Sequence, residues 1–220
     1  MASRRLVAAS TRFFVCDLQE SFRAHILDMD FVLFRARQLV SSARELGVPV
    51  IATEQYSRGL GVTCPEVGLD RTQDVVLDKT LFSMVTPEVS KILGTVGNPK
   101  TLLEQAAGAP APEVEEEDNV KPAAVVLFGI EAHVCVLQTC LDLLRSEHDL
   151  DVHVVVDATS SQRNLDRRVA FERMKESGAI LTTTESVLFE LLGDAKAPGF
   201  KSVANLMKTD NKREPLSAFL

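Results

Sequence analysis

The chain has 220 residues, 45% hydrophobic and 25% charged, which fits a single domain over 1–220 with a sizeable core. A net charge of −7, with basic residues grouped only at Arg4-Arg5, Arg167-Arg168 and Lys208 to Arg213, disfavours a polyphosphate partner, so no nucleic acid is expected. Eleven Phe, one Tyr and no Trp leave few platforms for base stacking, and no apolar run approaches the roughly 20 residues of a membrane helix.

In chain order, Met1 to Arg12 carries three arginines, two serines and no acid. It weakly resembles a mitochondrial presequence, but it runs straight into the first strand and reads as an exposed amino terminus of a cytoplasmic protein. Phe13 to Cys16 reads as a buried strand. Phe31, Phe34, Ala36, Leu39, Val40 and Ala43 keep helical spacing up to Leu46, and Gly47 stops that helix. Val48 to Ala52 and Val75 to Leu77 are the next strands, and Pro87 to Leu93 is a helix with proline in its first turn.

Residues 94–122 break the pattern. Gly108-Ala109-Pro110-Ala111-Pro112 leads to Glu113 and the acidic run Glu115 to Asp118, so an acidic, proline-containing surface insertion is expected, preceded by a helix over Leu102 to Ala107. A docking loop for a basic partner is the functional alternative. Alternation then resumes. Strands are expected at Val125 to Phe128, Val152 to Val156 and Ala179 to Thr183. Helices are expected at Val134 to Leu144, Leu165 to Met174 and Val187 to Leu192. Phe200 to Met207 forms a last helix, a candidate for subunit contact, before a polar tail to residue 220. Strands separated by helices imply right-handed crossovers. The expected architecture is α/β, a three-layer α/β/α sandwich on a six-stranded, largely parallel sheet.

Three strand ends carry reactive residues: Asp17, Lys79 and Cys135. In open α/β sheets, ligands bind at the carboxyl edge. Cys135 opens a helix, where free N–H groups and the positive end of the dipole favour thiolate and can hold an oxyanion. Each residue also has a plainer reading: Cys135 as a small buried hydrophobe, Asp17 as a turn residue, Lys79 as a surface lysine. In combination, Asp17 could accept the thiol proton while the Lys79 ammonium stabilises carboxylate and thiolate. Of the other cysteines, Cys140 is expected within a helix body, Cys64 in an exposed loop, and Cys16 pointing away from Asp17 by strand alternation. No C-x-x-C pair occurs, and reduced thiols are expected. His133 reads as a loop histidine lining a pocket or interface, and Asp157 as a turn or cap residue.

Asp17-Leu18-Gln19 with Phe22, Lys79 with Phe82-Ser83, and Gly129-Ile130-Glu131-Ala132 leading to Cys135-Val136 and Thr139 resemble the isochorismatase-like cysteine hydrolases. The resemblance runs from about Phe13 to Leu192 apart from the insertion. It is closest to the eukaryotic isochorismatase domain-containing proteins and related bacterial hydrolases, and Thr53-Glu54-Gln55-Tyr56 with Leu60-Gly61 looks like that subgroup's loop. It implies a triad of Asp17, Lys79 and Cys135 and a cis peptide between Ile130 and Glu131. The amides of Glu131 and Cys135 would then form an oxyanion hole. Acyl transfer through a thioester on a small-molecule amide or acyl substrate is the implied reaction, in a homo-oligomer, dimer or tetramer, that needs no cofactor.

Gln19, Phe22, Gln55, Phe82 and Val134 are the expected pocket residues. Metal-binding relatives hold zinc or iron through an aspartate and histidines after the second strand. Here the loop from Thr53 to Pro65 has no histidine, and His25, His133, His148 and His153 lie elsewhere without H-x-H or H-x-x-x-H spacing, so no metal is expected. A weakly active binding or scaffold protein on the same fold is one alternative, and a nuclease is another.

Overall fold

Apolar runs without polar interruption suit strands covered on both faces, the usual condition of a parallel sheet. The computed structural model describes residues 5–94, 99–108 and 122–208. Its six strands are β1 (Thr11–Cys16), β2 (Val50–Gln55), β3 (Val75–Lys79), β4 (Ala124–Gly129), β5 (Asp151–Thr159) and β6 (Ile180–Thr182). They lie in the order β3-β2-β1-β4-β5-β6, and every pairing is parallel.

Alternation along each strand divides the core in two. Phe13, Val15, Val50, Ala52, Val126 and Phe128 face α1 (Met29–Leu46), α7 (Thr184–Leu192) and α8 (Phe200–Lys208), with Phe13 and Phe128 edge to face at 6.1 Å. Phe14, Cys16, Ile51, Val125, Leu127 and Val154 face α3 (Pro87–Leu93), α4 (Pro99–Ala106), α5 (Leu137–Arg145) and α6 (Asn164–Glu176). A short helix α2 (Ser57–Leu60) follows β2. The result is the three-layer α/β/α sandwich.

Local signals set the helix ends. Gly47 takes the left-handed conformation (φ 67°) and closes α1 with bonds to the Ala43 and Arg44 carbonyls. Thr86 caps α3 ahead of Pro87, and Asp157 accepts the Thr184 amide at the start of α7, the capping role expected of it. The apolar side of α8 is used within the chain: Val203 and Met207 are buried, and Gln38 on α1 donates to the Leu206 carbonyl at 2.7 Å. Among the described residues no helix is long and apolar enough to cross a membrane.

The expected ends need correction where polar residues continue a ladder. β2 runs past Ala52 because Glu54 and Gln55 pair with Asp78 and Lys79 of β3. β5 reaches Thr159, beyond Val156, through a register shift against β4. The helix expected from Val134 begins as a π-helical turn, Ala132–Val136, that leads into α5. Cys64 is buried, not exposed, because its amide bonds the Leu18 carbonyl and draws the loop onto the core. The residues 109–121, with the acidic run, and the tail 209–220 lie outside the described residues.

Two positions test this framework. Gly129 ends β4 at φ 128°, and a Cβ there would collide with the Cys16 main chain. Gly129→Ala is therefore expected to cost about 3 kcal/mol in urea unfolding. His153 on β5 is buried, its Nε2 has no hydrogen-bond partner among the described residues, and burial holds its pKa below the ordinary histidine value. A neutral buried imidazole contributes stability that is complete above the unfolded value of about 6.5 and is lost as pH falls through the lower folded value. Unfolding free energy followed from pH 7 to 4 is expected to fall less steeply in His153→Leu than in the wild type.

Candidate active site

Connections run from β1 outward to β3 on one side and from β4 to β6 on the other, so the strand order reverses between β1 and β4. Crevices outside the carboxyl ends of strands form at such switch points. Asp17 directly follows β1, Lys79 ends β3, and Cys135 lies in the π-helical turn after β4. The three residues, far apart in sequence, meet there.

The Lys79 ammonium lies 2.7 Å from Asp17 Oδ2, and the side chains are 0% and 2% exposed. Lys79 Nζ also reaches Gln55 Oε1 at 2.6 Å and the carbonyls of Leu81 and Phe82 at 3.0 Å each. An ammonium has three donors, and four acceptors surround this one. Lys79 is saturated by protein and serves the site as a fixed charge. Thr53 Oγ1 donates to Asp17 Oδ1 at 2.8 Å, so both carboxylate oxygens are held. Burial pushes the Asp17 carboxyl above the ordinary aspartate range, against the opposing charge and hydrogen bond of Lys79 and the bond from Thr53. A carboxylate so raised is a stronger base than a solvated one.

The Asp17 carboxylate and the thiols of Cys16 and Cys135 lie within 4.8 Å of one another. Cys16 corrects the expectation from alternation: its Sγ is 3.7 Å from Asp17 Oδ2, on the same side. The cause is local. Asp17 adopts a left-handed backbone (φ 49°), which ends the period of two and turns its side chain back over Cys16. Aspartate tolerates that conformation better than most residues, and this was the one sequence signal available for it.

Cys135 is buried, and the peptide between Ile130 and Glu131 is cis. The amides of Val134 and Val136 both bond the Glu131 carbonyl, and that of Ala132 bonds Ser160. Thr139 Oγ1 donates to the Cys135 carbonyl at 2.6 Å and accepts from the Met84 amide at 2.8 Å, tying this turn to the loop after β3. Sequence reasoning gave neither Thr53 nor Thr139 a role.

Of the expected pocket residues, Gln19 is fully buried. Its Nε2 donates to the carbonyls of Gln55 and Gly61, and its Oε1 accepts the Gln55 amide. The Gln55 side chain bridges Lys79 and the Thr80 carbonyl. Both glutamines thus shape the loop and hold the lysine. Phe82 is half exposed, Val134 is half-buried, and Phe22 packs against the core on the α1 side of the sheet. His133 hydrogen bonds Ser161 at 3.0 Å and lies near Glu131 and Asp166.

Two groups of potential metal ligands occur among the described residues: Cys16 with Asp17 and Cys135, and Glu20 with Cys64 and Glu66. A cationic side chain already sits against each, Lys79 in the first and Arg23 in the second, where it reaches Glu20 at 3.0 Å and Glu66 at 2.8 Å. Glu54, which lies near the end of β2, spends Oε1 on Thr63 and Arg71.

The isochorismatase domain matches residues 11–186. The chain belongs to the isochorismatase family. It is 42% identical to isochorismatase domain-containing protein 1 of Salmo salar over 203 residues, which cover 92% of this chain and 62% of that protein. The chain thus spans less than two thirds of that relative's length. It is also 42% identical to the secreted isochorismatase effector Isc1 of Phytophthora sojae over 207 residues, 93% of this chain and 87% of that one. The solved structure of MAR1 ribonuclease from Caenorhabditis elegans superposes with a TM-score of 0.80 at 40% identity, covering 97% of both chains. Family and fold together give an isochorismatase-family hydrolase fold.

Removing one partner of a buried ion pair leaves the other charge uncompensated. Lys79→Met is expected to destabilise the chain by about 3–5 kcal/mol in urea unfolding. Combining it with Asp17→Asn should recover part of that loss, since the orphaned carboxylate is then gone.

Proposed function

We propose that the chain is a metal-independent cysteine hydrolase of a small amide or acyl compound, working through a thioester. The observation that carries this reading is the buried carboxylate of Asp17, held by an ammonium at 2.7 Å and within 4.8 Å of the Cys135 thiol. Asp17 takes the proton of Cys135. The thiolate attacks the substrate carbonyl, and the backbone amides of Glu131 and Cys135 receive the oxyanion. Asp17 passes its proton to the leaving amine, and the thioester forms. A water that gives its proton to the same carboxylate then attacks the thioester, and Cys135 leaves as thiolate. Lys79 keeps one positive charge beside this anion throughout. Phe82 and Val134 supply apolar walls, which suit a small, uncharged substrate.

A panel of amides, carbamates and esters is expected to contain a compound whose turnover falls roughly ten-thousandfold in Cys135→Ala. Iodoacetamide should alkylate Cys135 ahead of Cys64 and Cys140. A Cys135 that reacts no faster than Cys64 overturns the proposed activation.

A second reading, RNA cleavage, draws on the Caenorhabditis elegans structure described as a ribonuclease. Weighing against it are the net charge of −7 and the burial of Arg167, whose guanidinium is bonded to the Thr159 and Val156 carbonyls. RNA cleavage abolished in Cys135→Ala would rank this reading first, whereas cleavage that survives the substitution marks a contaminating nuclease.

A further inference from the structure

The proposed hydrolysis uses one thiol and leaves a second, Cys16, unused beside it. Cys16 is fully buried, while Cys135 is 7% exposed. Both contact the same carboxylate, and the three reactive atoms lie within 4.8 Å of one another. The main chain holds them in register: Cys16 pairs with Gly129 across β1 and β4, and its carbonyl accepts the Ile130 amide at 2.9 Å. The remaining two cysteines of the chain lie apart, Cys64 with Glu20 and Glu66, and Cys140 within α5.

We propose that Cys16 and Cys135 form a reversible disulfide that switches the site off when a peroxide enters it. The proposal rests on the reading of Cys135 as the reactive thiolate. That thiolate attacks one peroxide oxygen, the O–O bond breaks, and Cys135 becomes a sulfenic acid while the other oxygen leaves as hydroxide, protonated to water. Cys16 then attacks the Cys135 sulfur. Asp17 takes the Cys16 proton and gives it to the departing hydroxide, which leaves as a second water. Two thiols and one peroxide thus become one disulfide and two waters. A disulfide needs sulfurs about 2 Å apart, so the two side chains must rotate toward each other across the crevice. Thiol reductants reverse the step by exchange.

The environment orders these events. Burial, contact with Cys135 and the Asp17 charge all push the Cys16 thiol well above its ordinary pKa. Cys16 therefore stays protonated and does not compete as first nucleophile. Without a neighbouring thiol, a sulfenic acid is open to further oxidation to a sulfinic acid, which thiols do not reverse.

The test is a peptide map of the chain after two molar equivalents of hydrogen peroxide, enough for a sulfinic acid where no disulfide forms, with denaturing alkylation. The expected wild-type product joins the peptides of Cys16 and Cys135, lighter by two hydrogens, with two of the four thiols lost and both restored by dithiothreitol. In Cys16→Ala, Cys135 should instead gain two oxygens, and dithiothreitol should not return its iodoacetamide reactivity. Cys16→Ser serves the same purpose if the alanine variant does not fold, and the wild-type map needs neither. Wild-type protein in which Cys135 goes to sulfinic acid with the Cys16 peptide unlinked overturns the switch. Because the link is read by mass, a chain that hydrolyses substrate and never links loses only the switch. A chain that links and hydrolyses nothing loses only the hydrolase reading.

Discussion

The Asp17–Lys79 pair is the constraint on which the rest of the site depends. Burying two charges costs several kcal/mol per ion even after relaxation, and mutual attraction repays it only with good geometry and further hydrogen bonds. The structure supplies those bonds: Thr53 on the free carboxylate oxygen, and Gln55 with two carbonyls on the ammonium. An apolar pair of similar volume would fold at least as well. What such a pair could not provide is a desolvated base beside a thiol, with a fixed positive charge to balance the anion.

Satisfying that pair shapes the surrounding loops. Lys79 reaches forward to the Leu81 and Phe82 carbonyls and so bends its own chain into a tight arch. Gln55 connects the same ammonium to β2, and Gln19 anchors the Gln55 main chain to the segment after β1. Thr139 joins the far end of the arch, at Met84, to the Cys135 turn. These contacts lie in the polar neighbourhood of one buried cation, and three strand ends are bound into one rigid crevice by it.

Much of this arrangement was legible in the sequence. A parallel sheet with crossovers on both sides leaves the carboxyl ends of β1 and β4 adjacent at the reversal of strand order, so reactive residues at those ends had to approach one another. What was not legible followed from residues whose role depends on a neighbour's backbone. Strand alternation alone turns Cys16 away from Asp17, and the left-handed turn at Asp17 cancels it. Gln19 and Gln55 looked like groups awaiting a substrate, but their amides are used by the lysine and its loops. Thr53 sits in a ladder that seemed to end at Ala52, because a polar strand end between two partners carries no apolar pattern.

Gly129 links these levels. Its main chain passes so close to Cys16 that no side chain fits between them, and the Cys16 carbonyl accepts the amide of the next residue, Ile130, at 2.9 Å. Side chains alone could place a carboxylate near a thiol, but long flexible groups hold such geometry loosely. Here Cys16 is held on β1 by its pairing with β4, and the turn that carries Cys135 leaves the end of that same strand. The same pairing that brings the Cys135 turn close to Asp17 therefore also keeps a second sulfur close to Cys135. On the proposed reading, the nucleophile and its oxidation partner share one strand pairing.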